Sequence, residues 1–218
     1  MAHWTDKRTS AHGDLKQALK VVDDILSFVK AGSGKPSKKE RALFAAAIAF
    51  SYGVWENYVE QLAIELVREM ASKLDPERVP ERIKKALEKS SAWELAVTPG
   101  WRQLWVKKVE EKAVGDDGDK YGLNTAKAGQ VQDLLEMAGV QSALDGIPAH
   151  NVPQHLKDVE STVADAVNRL VELRGEIVHT GKVPDSLVKG HVGEWRSFVE
   201  EIANALDSEC RKQCKRLG

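Results

Sequence analysis

The chain has 218 residues, 42% of them hydrophobic and 30% charged, and a formal net charge of −1. That is enough apolar material for one sizeable core, and it excludes a disordered or fibrous chain. The balanced charge excludes a global basic field, so any nucleic-acid contact must rest on a local patch.

The first residues carry no apolar leader stretch. The most apolar run, 42–50, is too short to span a bilayer. A cytoplasmic protein with no membrane partner is therefore expected. Residues 1–13 read as a flexible tail. Over 14–30 the apolar residues Leu15, Leu19, Val22, Leu26 and Val29 recur at helical spacing and predict a first helix. Residues 31–36 form a Gly- and Pro-containing linker. Ser37 followed by Glu40 is a capping box, and the helix it opens runs to about Leu74. Phe44, Ile48, Tyr52, Trp55, Val59, Leu62, Leu66 and Met70 form its main stripe. Leu43, Ala47, Phe50, Val54 and Tyr58 widen that stripe, so this helix is buried on more than one side and is the centre of the core. Glu56 and Asn57 interrupt it. They mark either a solvated edge or groups that orient a functional cation, because a half-buried arginine wants a carboxylate.

Asp75-Pro76 predicts a further helix, ending near Ser91. Thr98-Pro99 opens another, with Trp101 and Trp105 on one face for packing. Residues 113–124 are a loop. Its Asp116, Asp117 and Asp119 lack the closing glutamate of a calcium loop, so no metal is expected there. A short helix over 125–138 and an irregular stretch over 139–153 complete a region, about 76–153, that reads as an insert. The rest of 14–218 forms one helical domain. Cys210 and Cys214 sit four apart on a late helix and read as reduced thiols. No strand pattern, phosphate loop or nucleophile elbow occurs, and no cofactor is implied.

The most informative stretch is 168–182. From Leu156 through Val159, Val163, Ala166, Leu170, Leu173 and Ile177, apolar residues keep helical spacing, and Gly181 with Pro184 signals the stop. Arg174 and His179 lie on this helix, roughly 140° apart and about 7.5 Å along the axis. They project from opposite flanks of the core stripe. Gly175, one turn before His179, leaves space beside the imidazole. A histidine can exchange a proton near neutral pH, and an arginine forks onto phosphate oxygens. Together they suffice for metal-free cleavage of RNA, by activating the 2′-hydroxyl and stabilising the anionic phosphorus. The same pair can also be a helix-capping histidine and a structural arginine. After this helix, Pro184 is expected to open the last one, which has a basic end at Arg211, Lys212, Lys215 and Arg216. His150 and His155 read as structural, and His191 as a surface or core-edge residue.

"LVELRGEIVHTG" at 170–181 resembles the signature of the HEPN superfamily, an arginine and a histidine with four to six residues between them late in a helical domain. It is most similar to the RiboL-PSP-HEPN and MAE-type HEPN branches. "SYGVWENYVEQLAIELV" at 51–67 is similar to the long earlier helix of those branches. The resemblance covers about 37–74 and 154–210. It implies an all-α, HEPN-like helical bundle built on a long core helix. It also implies a metal-independent endoribonuclease that leaves 2′,3′-cyclic phosphate ends and acts as a homodimer, often as a toxin or antiviral-defence effector. Arg174 and His179 would then be the catalytic pair, with Glu176, Glu56 and Asn57 in support. RNA is the expected substrate, and an antitoxin or defence-complex protein an expected partner. The family usually has a polar residue directly after the arginine, where this chain has Gly175. The rival expectation is a non-catalytic helical interaction or dimerisation module in such a complex.

Overall fold

The computed structural model describes residues 7–30, 35–79, 81–88, 100–115 and 122–217, apart from the side chains of residues 82, 86 and 217. Those residues form α1 (Ser10–Ser27), α2 (Lys38–Lys73), α3 (Glu81–Glu88), α4 (Trp101–Val114), α5 (Ala128–Met137), α6 (Val163–Thr180) and α7 (Lys189–Leu217), with three short 3-10 turns between them. No strand occurs among the described residues. The protein is all-α.

α2 is the axis. Ser37 and Glu40 close the expected capping box at its start. α1, α4, α5, α6 and α7 all pack against it. Its buried residues therefore run round the helix: Phe44, Ile48, Trp55, Leu62 and Leu66 are all at most 1% exposed. Each such side chain contributes about 1.5–3 kcal/mol on burial. The polar ends of its aromatics are satisfied. Trp55 Nε1 donates to the Ala126 carbonyl at 3.1 Å and Tyr58 Oη to the Ala203 carbonyl at 2.9 Å. Both bonds tie α2 to segments far away in sequence.

Residues 10–13 are not tail but the first turn of α1, with Thr9 as its cap. Two distant carboxylates hold this end. Asp207 of α7, fully buried, accepts from Thr9 N at 3.1 Å and Thr9 Oγ1 at 2.6 Å. It also meets Arg211 Nε at 2.9 Å. Glu65 of α2 takes the N–H groups of Ser10 and Ala11. A helix N-terminus attracts anions, and here the chain supplies them from its own core helices. Residues 1–6 lie outside the described set.

The helix expected from Asp75 is broken. A 3-10 turn spans Pro76–Arg78, and α3 begins at Glu81. Val79 is extended, as a residue before proline must be. The expected end near Ser91, the Thr98-Pro99 start and the three loop aspartates lie outside the described residues. α4 and α5 join the same buried cluster as α2 and α6. Trp105 is buried and its Nε1 donates to the Met137 carbonyl at 2.7 Å, so this tryptophan packs, as expected. Cys210 and Cys214 are buried free thiols on α7.

Two helix starts fall later than the apolar spacing suggests. α6 begins at Val163 because Thr162 and Asp165 form a capping box. Leu156 sits in a separate 3-10 turn, and Val159 is 76% exposed. α7 begins at Lys189, while the Pro184 carbonyl closes a turn onto Leu187 N. α6 ends as expected at Gly181, which is left-handed at φ 65° and therefore suits glycine.

Candidate nucleic-acid site on α6

α6 lies on α2 with Ala166, Val167, Leu170, Val171, Leu173 and Ile177 buried. Arg174 lies within this buried face, whereas His179, roughly 140° further round, is turned out to solvent. Arg174 is half-buried. Its guanidinium sits over the Tyr52 ring, 5.1 Å from the centroid. It makes no hydrogen bond or ion pair among the described residues. His179 is exposed in the last turn and has no partner among the described residues. A methyl group added at Gly175 would meet only His179 Cδ2, at 4.0 Å. The space beside the imidazole is therefore open.

Glu56 does not pair with Arg174. It accepts a 2.6 Å hydrogen bond from Tyr52 Oη, and Tyr52 Oη in turn accepts one from Ala126 N at 3.1 Å. The tyrosine stands where a direct carboxylate was expected. Its ring provides the face for the cation, while its hydroxyl is locked by α2 and the loop before α5. Burial, and then the hydrogen bond to Glu56, pushes the Tyr52 phenol well up, so it stays a protonated donor. One turn further, burial and the neighbouring Glu56 raise the Glu60 carboxyl to about 7. Asn57 is exposed, on the solvated edge of α2.

Glu176 is exposed and lines an open groove of about 700 Å³ with Lys38, Arg41, Gly181 and Lys182. Arg41 anchors this end of α6. It reaches Asp185 Oδ1 at 2.6 Å and also bonds the Val183 carbonyl. Lys38 and Lys182 are exposed and have no ion-pair partner among the described residues. The groove beside the His179 turn is thus locally basic in a near-neutral chain.

Sequence reasoning missed three features. Tyr52 was assigned to the core stripe, although an aromatic four residues before a glutamate was a usable signal. The Arg41 anchor spans 144 residues and left no local signal. His155, His191 and Glu194 meet from two separate segments. The two imidazoles stack with centroids 4.3 Å apart, and His155 Nδ1 lies 2.6 Å from Glu194 Oε2. No group of three His, Cys, Asp or Glu among the described residues is arranged to hold a metal ion. No described helix is long and apolar enough to cross a membrane.

No curated protein and no solved structure matches the chain significantly. The family model RiboL-PSP-HEPN matches residues 14–212, a span that includes α2, the Arg174–His179 helix and the whole middle region. The chain belongs to the RiboL-PSP-HEPN family of the HEPN superfamily.

Proposed function

We propose that the protein is a metal-independent endoribonuclease whose reacting groups are Arg174 and His179. The observation that carries this reading is the state of the two side chains. A half-buried guanidinium is aimed by an aromatic face yet has no anion among the described residues, and an exposed imidazole stands about one and a half helix turns beyond it beside open space. A structural arginine in that position would be expected to hold a carboxylate. Arg174 neutralises the scissile phosphate. His179 exchanges the proton with the 2′-hydroxyl or the leaving oxygen. Lys38 and Lys182 receive neighbouring phosphates along the groove. Glu176 and Glu56 act in support, Glu56 through Tyr52.

The two groups diverge by roughly 140° around one helix. A second copy packed two-fold beside α6 brings both pairs to one groove. Val178, 49% exposed next to His179, is apolar surface suited to that contact. The reading therefore includes a homodimer, and in the cell a toxin or antiviral effector held in check by a partner protein.

The test incubates purified protein with RNA in EDTA. Cleavage to 2′,3′-cyclic phosphate ends, lost in His179→Ala and in Arg174→Ala, is expected. Intact RNA at high protein concentration would instead favour the non-catalytic interaction module. Cleavage that requires added magnesium would refute the mechanism. A monomer mass in light scattering at micromolar concentration would remove the composite groove. Expression without a partner should slow growth, and His179→Ala should relieve it.

A further inference from the structure

A second cavity lies beside the middle of α6, between Arg169 and Leu173 on one side and α7 on the other. Its volume is about 230 Å³, below the usual size of a site for a drug-sized ligand and suited to one planar ring system. The buried side chains of Leu156, Leu173, Leu187 and Trp195 form its floor. The stacked His155 and His191 form one wall, with Arg169 and Ser186 at the mouth.

The polar groups narrow the ligand class. His155 is fixed by Glu194, whose Oε2 accepts from both His155 N at 2.9 Å and Nδ1 at 2.6 Å. An ionised carboxylate only accepts, so Nδ1 carries the proton and Nε2 has no hydrogen-bond partner among the described residues. Trp195 meets the His155 ring edge-on. His191 joins this clamp through no hydrogen bond or ion pair among the described residues and contributes a flat face. The basic groups already have carboxylate partners, His155 in Glu194 and Arg169 in Glu172 at 3.2 Å. A phosphate or carboxylate would find no uncompensated charge, and no converging three-ligand set for a metal occurs among the described residues. A neutral, planar heterocycle with hydrogen-bonding edges fits what remains. It has apolar and aromatic faces to stack on, and Nε2 and the Ser186 hydroxyl to read its edge.

We propose that this cavity takes a single unpaired nucleobase of the RNA substrate, a few nucleotides from the scissile position, and so sets target preference. Arg169 is ten residues before His179, hence about 15 Å along α6 and roughly 80° around it. One extended strand can therefore reach both places. This rests on the ribonuclease reading for the source of the base, but the binding itself does not require cleavage.

The experiment uses the full chain carrying His179→Ala, so that RNA stays intact. Ring-proton resonances of His155 and His191 are followed while the four nucleoside monophosphates, four homopolymeric pentaribonucleotides and ribose 5-phosphate are added. Saturable shifts with base-containing ligands, differing among the four bases and absent with ribose 5-phosphate, are expected. Tighter saturation by the pentamers places the base in an RNA chain. Equal saturation by monophosphates assigns the cavity to a free nucleotide and overturns the substrate role. Added to this background, His191→Ala should weaken binding about tenfold or more, as loss of one stacking face does. Ser186→Trp, at an exposed position, should block the mouth while leaving the circular dichroism spectrum unchanged. No saturable response, or binding indifferent to both substitutions, overturns the cavity assignment. If bases bind here but the unsubstituted protein leaves RNA intact, the ribonuclease reading fails and the cavity stands. If RNA is cleaved but these histidines never respond, the cavity alone fails.

Discussion

Tyr52 gives the sharpest test of how the core positions Arg174. Tyr52→Phe keeps the ring under the guanidinium but removes the hydroxyl bound to Glu56 and Ala126 N. Ala126 is fully buried, so its N–H loses its partner, at a cost of about 1–3 kcal/mol. In a chain of this size that lowers Tm by roughly 2–4 °C per kcal/mol. Cleavage should change by less than about threefold, because the cation–π contact of about 0.5–2 kcal/mol is retained. Tyr52→Leu removes that contact as well and frees the arginine stem. We expect kcat/KM to fall on the order of tenfold, from about 1.4 kcal/mol of lost transition-state stabilisation. The assay is cleavage of a fluorescent RNA at a temperature where both variants are folded, run in wild-type and Arg174→Ala backgrounds. If Tyr52 acts through Arg174, Tyr52→Leu adds nothing once Arg174 is gone. An equal loss in both backgrounds, or full activity of folded Tyr52→Leu, would refute the argument.

Other expectations follow from single contacts. Asp207→Ala leaves the Thr9 donors and Arg211 Nε without their buried acceptor, so urea unfolding should show a loss of about 3–5 kcal/mol; a loss under 1 kcal/mol would mean the α1 cap is not held this way. The Glu60 carboxyl rises from 4.5 to about 7 in the fold, so its own contribution to stability is fully present below pH 4.5 and is lost as pH rises through 7. Glu60→Gln removes that dependence. Its advantage over wild type should grow between those pH values to on the order of 1 kcal/mol after solvent screening, then level off. A constant difference across pH would contradict the assignment. Burial pushes the Cys210 thiol far up and Cys214 to about 12, so both should resist thiol reagents until the protein is unfolded. Rapid labelling of the native protein would count against the packing of α7.

Much of this protein is written in local pattern. The Ser37–Glu40 box, the wide stripe of α2, the Gly181 stop and the Arg174–His179 spacing depend on residues within a turn or two of each other, so they are legible from sequence and suffice for the fold class and the family. The lost predictions share one cause. Apolar spacing continued from Leu156, but the Thr162–Asp165 box set the start of α6, because capping satisfies backbone donors that spacing cannot see. Residues 10–13, expected to be tail, are helix, and Glu65 and Asp207 meet its start from 54 or more residues away. Glu56 was the right neighbour in the wrong role: only packing could put the Tyr52 ring between it and Arg174. The His155–His191–Glu194 cluster joins a 3-10 turn to α7. Sequence determined which helices form and which groups they carry. Tertiary structure decided which of those groups meet, because contacts between distant segments follow from how the helices bury α2, not from any local period.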